Sequence, residues 1–274
     1  MDGQDGASVG GAVASFDFSG QTVLVTGGSR GVGLRLTEAF LGAGAHVVTC
    51  GRHEPDPGDL PTVAGPDGVE RTAVFMQTDI RQADQAKELV AFAAERFGRL
   101  DVLVNNAGGS PYKMAADITA NFATAITALN LFGPFYCAQA ANEIMQAQEH
   151  GGSIVNITSI SGIRATPGAA FYGAAKAGLL NLTQTLSVEW APKVRVNCVT
   201  AGLLDTGSGE DHYGGEAGLA RVAATIPLGR LGTPDDVVGP VLFLASPASA
   251  FVTGSSLLAH GGDQWPAYIA AAAG

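Results

Sequence analysis

The strongest constraint on this chain is a regular alternation of short apolar runs with stretches of helical period. TVLVT (22–26) precedes a helical pattern near 31–43, HVVTC (46–50) precedes a Pro/Gly-rich loop through Gly68, and TAVFMQTD (72–79) precedes a helix near 82–97. DVLVNNAG (101–108) leads to a helix near 119–148, and SIVNITS (153–159) to one near 171–190. VRVNCVT (194–200) leads to a loop-rich insert; a helix near 234–245 and a short strand around Ser256–Leu258 follow. Parallel strands cannot be joined by tight turns and need crossover helices, so the pattern predicts an α/β fold: a doubly wound parallel sheet covered on both faces. Residues 1–15 (MDGQDGASVGGAVAS) are small and Gly-rich and read as a disordered tail. With no internal repeat and no linker, residues 16–274 read as one domain.

Composition narrows the partners. A chain of 274 residues with 46% hydrophobic and 15% charged residues can bury a full core. Its formal net charge of −10 argues against a nucleic-acid partner. Residues 1–21 carry acids, no Lys or Arg and no apolar centre, and no run of 18 apolar residues occurs, so neither a secretory leader nor a membrane span is expected. The expectation is a soluble, cytoplasmic protein. Cys50, Cys137 and Cys198 are far apart without metal-ligand spacing, so they read as buried packing residues and no metal site is expected.

In an open parallel sheet, ligands bind beyond the carboxyl ends of the strands. Gly27–Gly33, Asp79, Asn105–Gly108, Ser159 and Gly202 all fall there. VTGGSRGVG (25–33) fits two chemistries: a G-x-S-x-G nucleophile elbow centred on Ser29, or a glycine-rich phosphate loop leading into a helix. An elbow needs an oxyanion loop from an earlier strand and a later acid and histidine. Here the motif follows the first strand, and His150, His212 and His260 have no triad context. The phosphate loop, spaced G-x-x-x-G-x-G on Gly27, Gly31 and Gly33, fits better: its glycines let the backbone approach a pyrophosphate that the helix N-terminus attracts.

Several motifs in register carry a family resemblance: TGGSRGVG (26–33), NNAG (105–108), Tyr172-x-x-x-Lys176 in YGAAK, Ser159 upstream of the tyrosine, and Asn130 between them. Over about residues 17–264 the chain resembles the short-chain dehydrogenases/reductases. The resemblance implies a single Rossmann-type domain of about seven strands ordered 3-2-1-4-5-6-7. It also implies NAD(P)-dependent interconversion of a secondary alcohol and a ketone, with Asn130, Ser159, Tyr172 and Lys176 as the catalytic set. The cofactor would meet Gly27, Ser29, Arg30, Gly31, Val32 and Gly33 in the loop, then Gly51 and Arg52, then Asp79 and Ile80. Further contacts would come from Asn106, Ala107, Gly108, Tyr172, Lys176, Gly202 and Thr206. Asn105 is expected to tie neighbouring strands; Asp79 would bond the adenine amino group, unless it is a helix N-cap.

Tyr172 and Lys176, four residues apart, share a helix face. A phenol near pKa ~10 is a poor acid–base catalyst at neutral pH, and a neighbouring ammonium and nicotinamide would lower it by about two to three units. Ser159 would bond the substrate oxygen. Pro134, four residues after Asn130, has no N–H for the Asn130 carbonyl. The resemblance puts a water on that carbonyl, in a relay Tyr172–ribose–Lys176–water–Asn130. Taken singly, each feature has a plainer reading: a surface Tyr/Lys pair, a turn serine, a helix kink.

Gly51 stands where NAD enzymes place an acid for the ribose, while Arg30 and Arg52 could clamp a 2′-phosphate. NADP(H) is therefore favoured, with NAD(H) as the alternative. Ala201-Gly202 replaces the family's Pro-Gly and predicts a looser backbone before Thr206; His260-Gly261-Gly262 replaces Asp-Gly-Gly. His260 and VVGPVLFLA (237–245) are assigned to assembly, as a homotetramer or homodimer. Residues 206–227 read as a lid that, with SPYKM (110–114) and ISGIRATPGAAF (160–171), shapes the substrate pocket. Apart from Lys113 and Arg164 these stretches hold few cations, which favours an uncharged or hydrophobic carbonyl or alcohol substrate. The rival readings are a catalytically silent cofactor-binding homologue and an isomerase or dehydratase on the same scaffold.

Overall fold

The computed structural model describes residues 16–56, 58–206 and 215–266. The tail at 1–15 and lid residues 207–214 therefore lie outside the described residues. Seven strands form one parallel sheet: β1 (Thr22–Thr26), β2 (His46–Gly51), β5 (Val74–Gln77), β6 (Val102–Asn105), β7 (Gly152–Ser159), β8 (Val194–Ala201) and β9 (Ser256–Ala259). Their order, β5-β2-β1-β6-β7-β8-β9, is the one expected once two outlying strands are set aside. Those two, β3 (Thr62–Ala64) and β4 (Glu70–Thr72), pair as an antiparallel hairpin.

Successive residues of a strand point to opposite faces, and here both faces are buried. Val23 and Val25 of β1 join one core with Leu36 and Phe40 of α1 (Gly31–Gly42) and Val241 and Leu244 of α7 (Asp235–Ala245). Leu24 joins the other with Leu89 and Val90 of α2 (Ala83–Phe97) and Cys137 and Met145 of α4 (Gly133–Ala147). This two-sided burial is why β1 reads as an unbroken apolar run.

Three departures from expectation have physical causes. The loop after β2 contains the β3–β4 hairpin, so the strand expected from residue 72 begins at Val74. The insert after β8 carries a helix, α6 (Gly215–Ala223). The helix expected over 119–148 is divided into α3 (Ala120–Thr127), a π-helical turn at Ala128–Phe132, and α4. Pro134 at the start of α4 withholds the N–H a regular helix would need, and the chain bulges there. The three cysteines are buried and unpaired; burial pushes the Cys50 thiol up to about 11 and raises Cys137 further. No helix among the described residues is long and apolar enough to cross a membrane.

Candidate active site

The turn from β1 into α1 puts Gly27 (φ 67°) and Gly31 (φ 53°) in the left-handed region that favours glycine. Gly28 is buried between threonines. Its N–H donates to Thr49 Oγ1 (2.7 Å), its carbonyl accepts from Thr37 Oγ1 (3.0 Å), and a Cβ there would lie 2.3 Å from Thr49 Oγ1. The α1 helix starts after Arg30 with no side-chain cap and no acid in its first turn. Its first N–H donors and dipole are thus available to an anion, as a dinucleotide pyrophosphate requires.

The NNAG turn braces this loop. The Asn106 side-chain amide donates to the Thr26 (2.9 Å) and Gly27 (3.2 Å) carbonyls, so the group it would offer a cofactor is its backbone carbonyl. Thr26 Oγ1 accepts from the Asn106 and Ala107 N–H groups, each at 3.0 Å. Asn105 Nδ2 donates to Asn156 Oδ1 on β7 (2.9 Å) and to the Pro134 carbonyl (3.0 Å), tying β6 to β7 and to α4 as expected. Ile80 is 4% exposed and its side chain packs in the core, so only its backbone would be left to meet a cofactor.

The polar centre assembles around α5 (Ala170–Glu189). Lys176 Nζ donates to the Ile157 carbonyl (2.8 Å) and lies 5.7 Å from the Tyr172 ring centroid. Burial pushes Lys176 down to about 8. The Tyr172 phenol faces the Ser159 hydroxyl at the end of β7, and Ser159 Oγ accepts from the Ser161 N–H (3.2 Å). The loop after Ser159 lies flat on α5: a Cβ on Gly162 would sit 2.8 Å from the Ala177 nitrogen, and one on Gly173 2.6 Å from the Ser161 carbonyl oxygen. Asn130, in the π turn, accepts from the Gly109 N–H (2.9 Å) and donates to the Gly109 and Ile126 carbonyls (2.9 Å each). A Cβ on Gly108 would lie 2.8 Å from Asn130 Oδ1 and 3.2 Å from Lys176 Nζ, which places all three side by side.

The lowering of the Tyr172 phenol is expected with an ammonium and a nicotinamide together beside it; in the protein itself burial raises the phenol above its ordinary value, and the nearby Ser159 hydroxyl offsets this in part. Of the two roles expected for Asp79, the helix cap is not the one it takes. Gln82, not Asp79, caps α2, and the Asp79 carboxylate holds the Arg81 guanidinium (Arg81 Nε 2.8 Å, Nη2 2.5 Å). Arg81, with a smaller contribution from Arg52, keeps that carboxyl below its usual range. Sequence reasoning missed Arg81, although its i+2 spacing was a usable signal.

Arg30 and Arg52 are exposed and form no ion pair among the described residues, while Gly51 closes β2. Ala201 does not loosen the backbone: it lies within β8, paired with Ser159 and Ala259. Gly202 donates its N–H to the Ala259 carbonyl (2.9 Å), and a Cβ there would strike His260 Cα at 2.6 Å. Thr206 is exposed beyond it. His260 accepts the Gly262 N–H on Nδ1 (3.1 Å) and lines a cleft with Leu203, Leu228 and Pro240 that includes none of Ser159, Tyr172 and Lys176.

Similarity to known proteins agrees with this geometry. Residues 27–263 match the family model described as enoyl-(acyl carrier protein) reductase. The chain is 37% identical over 245 residues to an L-rhamnose 1-dehydrogenase (NAD(P)(+)) of Azotobacter vinelandii, covering 88% of this chain and 96% of that protein. It is 35% identical over 247 residues to a 3-oxoacyl-[acyl-carrier-protein] reductase of Synechocystis, covering 89% and 97%. A short-chain type dehydrogenase/reductase from Mycobacterium marinum superposes with TM-score 0.82 at 32% identity, covering 92% of this chain and 98% of that one. The aldohexose dehydrogenase of Thermoplasma acidophilum gives 0.80 at 28% identity, covering 90% and 95%. Fold and likeness define a nicotinamide-dependent oxidoreductase acting between secondary alcohols and ketones. The chain belongs to the short-chain dehydrogenase/reductase family.

Proposed function

We propose that Tyr172 is the acid–base group of this oxidoreductase, with Ser159 orienting the substrate oxygen and Lys176 and Asn130 completing the set. The carrying observation is the buried Lys176, whose Nζ lies 5.7 Å from the Tyr172 ring centroid and donates to the carbonyl of Ile157, two residues before Ser159 on β7. When bound, the nicotinamide cofactor takes or gives the hydride. The residues that would hold it are Gly27, Ser29, Arg30, Gly31, Val32 and Gly33, with Gly51, Arg52, Asp79, Gly108, Gly202 and Thr206 and the backbones of Ile80, Asn106 and Ala107. A phenol held neutral by burial is suited to donate its proton to a carbonyl oxygen as that oxygen gains charge. Ser159, which faces the phenol, can share the same oxygen. Lys176 holds positive charge beside the ring that must carry the negative form. Asn130 offers a carbonyl that Pro134 cannot satisfy, as a place for a water next to Lys176; the π turn supports this.

NADP(H) is the favoured cofactor because Arg30 and Arg52 are exposed and outside any ion pair among the described residues, whereas no acid ends β2. The substrate is an uncharged or hydrophobic carbonyl or alcohol. We also infer a cytoplasmic homodimer or homotetramer. Unpaired cysteines support the location, and exposed Val188 and Leu258 with the open edge of β9 support assembly. Following NADPH absorbance with a panel of ketones and secondary alcohols tests the reading: turnover that vanishes in Tyr172→Phe supports it. Turnover that survives the substitution overturns it.

A further inference from the structure

Asp263 is the one non-glycine among the described residues with positive φ, at 65°. Such a residue sits in a sparsely populated region and is held there by its surroundings. Its Oδ1 faces Arg164 Nε at 3.0 Å. Both atoms are shielded from solvent, and neither has an aligned hydrogen bond to any other described group. The side chains are 31% and 28% exposed, so the pair is half-buried, its inner atoms facing each other and its outer atoms meeting water.

The placement of the pair gives it a role. Arg164 follows Ser159 by five residues, in the loop pressed against α5 at Gly173 and Ala177. Asp263 lies just beyond β9, so the ion pair crosses the carboxyl end of β8, which runs between β7 and β9. The segment around Asp263 also seats the chain that follows α6. The Trp265 N–H donates to the Thr225 carbonyl (2.9 Å), and the Leu228 N–H donates to the Gly261 carbonyl (3.1 Å). Gln264 Nε2 reaches Thr225 Oγ1 (3.3 Å). Residues 260–266 thus touch both the Ser159 loop and residues 225–228, and Arg164–Asp263 is the ionic link between them.

We propose that Arg164 and Asp263 are a positioning pair, fixing the spacing between the Ser159 loop and the 225–228 segment so that a bound substrate meets both walls at once. The proposal rests on the reading that Ser159 and Tyr172 are the reaction centre. Neither residue performs chemistry; their loss loosens the walls and weakens substrate capture. Asp263→Asn keeps a residue tolerant of positive φ and removes the charge; Arg164→Gln removes the other partner, and Arg164→Lys restores a charge. Amide hydrogen exchange on the full chain provides a readout independent of turnover. In Asp263→Asn and in Arg164→Gln, exchange within 160–166 and 225–228 should rise about tenfold, the double variant should add nothing further, and Arg164→Lys should recover part of the protection. The substrate found in the panel should show a raised KM with kcat little changed.

Unchanged exchange in these segments, or additive increases in the double variant, would overturn the pair. Tyr172→Phe measured alongside separates the two readings. If it retains turnover, the reaction centre is wrong whatever the exchange shows. If it is inactive while exchange is unmoved, only the positioning pair fails.

Discussion

At the amino ends of the strands, Asp101 receives the Thr22 N–H (2.8 Å) and Arg99 Nε (2.8 Å) and Nη2 (2.6 Å), and its Oδ1 lies 3.0 Å from His150 Nε2. At the carboxyl ends, Lys176 is as deeply buried and donates to a single carbonyl, with no carboxylate partner. Both ends bury a charge against the parallel sheet. The first is saturated by protein groups and does nothing but join β1, β6 and β7. The second is left under-partnered, which costs stability and keeps an ammonium ready for a changing charge. A buried charge surrounded by partners is structural; one with room for another partner is a site.

Four substitutions can break or sharpen this contrast. Tyr172→Phe should lower kcat/KM by about a thousandfold and change folding stability by no more than about 1 kcal/mol, read by steady-state kinetics and urea titration. Lys176→Met should lower kcat/KM by about a hundredfold. It should not lower the melting temperature at pH 7, because a lysine pushed down to about 8 carries a burial penalty of roughly 3 kcal/mol, at 1.36 per unit, that methionine lacks. The sign follows from the direction of that shift. The unfolded chain binds more protons between about 8 and the ordinary lysine value, so parent stability should rise with pH across that window, and this rise should vanish in Lys176→Met. Activity should move the opposite way, falling above pH about 8 as the ammonium is lost.

Asp101→Asn should reverse the pattern: about 2 kcal/mol of stability lost, with kcat/KM of the folded enzyme unchanged. Arg52→Ala is the smallest test. It should weaken NADPH binding about tenfold and leave NADH binding unmoved, measured by cofactor fluorescence. Equal losses for the two cofactors would remove the arginine argument for NADP(H).

The sheet was legible because strands buried on both faces leave unbroken apolar runs such as TVLVT, and because a parallel order demands intervening helices. The β3–β4 hairpin was not: its strands are three residues long, alternate between exposed and half-buried, and lie among prolines and glycines. Helix α6 was hidden by the glycines around it. The π turn was half legible, since Pro134 announced an interruption but not its geometry. At the site, Tyr172, Lys176 and Ser159 could be placed from spacing on a helix and at a strand end. The raised Tyr172 phenol could not, because burial depends on how the Ser159 loop packs on α5. Arg164 and Asp263 are far apart in the chain, and nothing local in either segment announces the other.

The buried cysteines carry a practical consequence. With Cys50 pushed up to about 11 and Cys137 higher still, the folded chain offers almost no thiolate at neutral pH. Alkylating reagents and peroxides find no cysteine thiol to attack on a packed molecule. Because Cys50 lies in β2 and Cys137 in α4, their modification requires the central sheet and its covering helix to part. The rate at which iodoacetamide consumes these thiols is therefore a clock for whole-domain opening, supplied by the native sequence without an engineered probe.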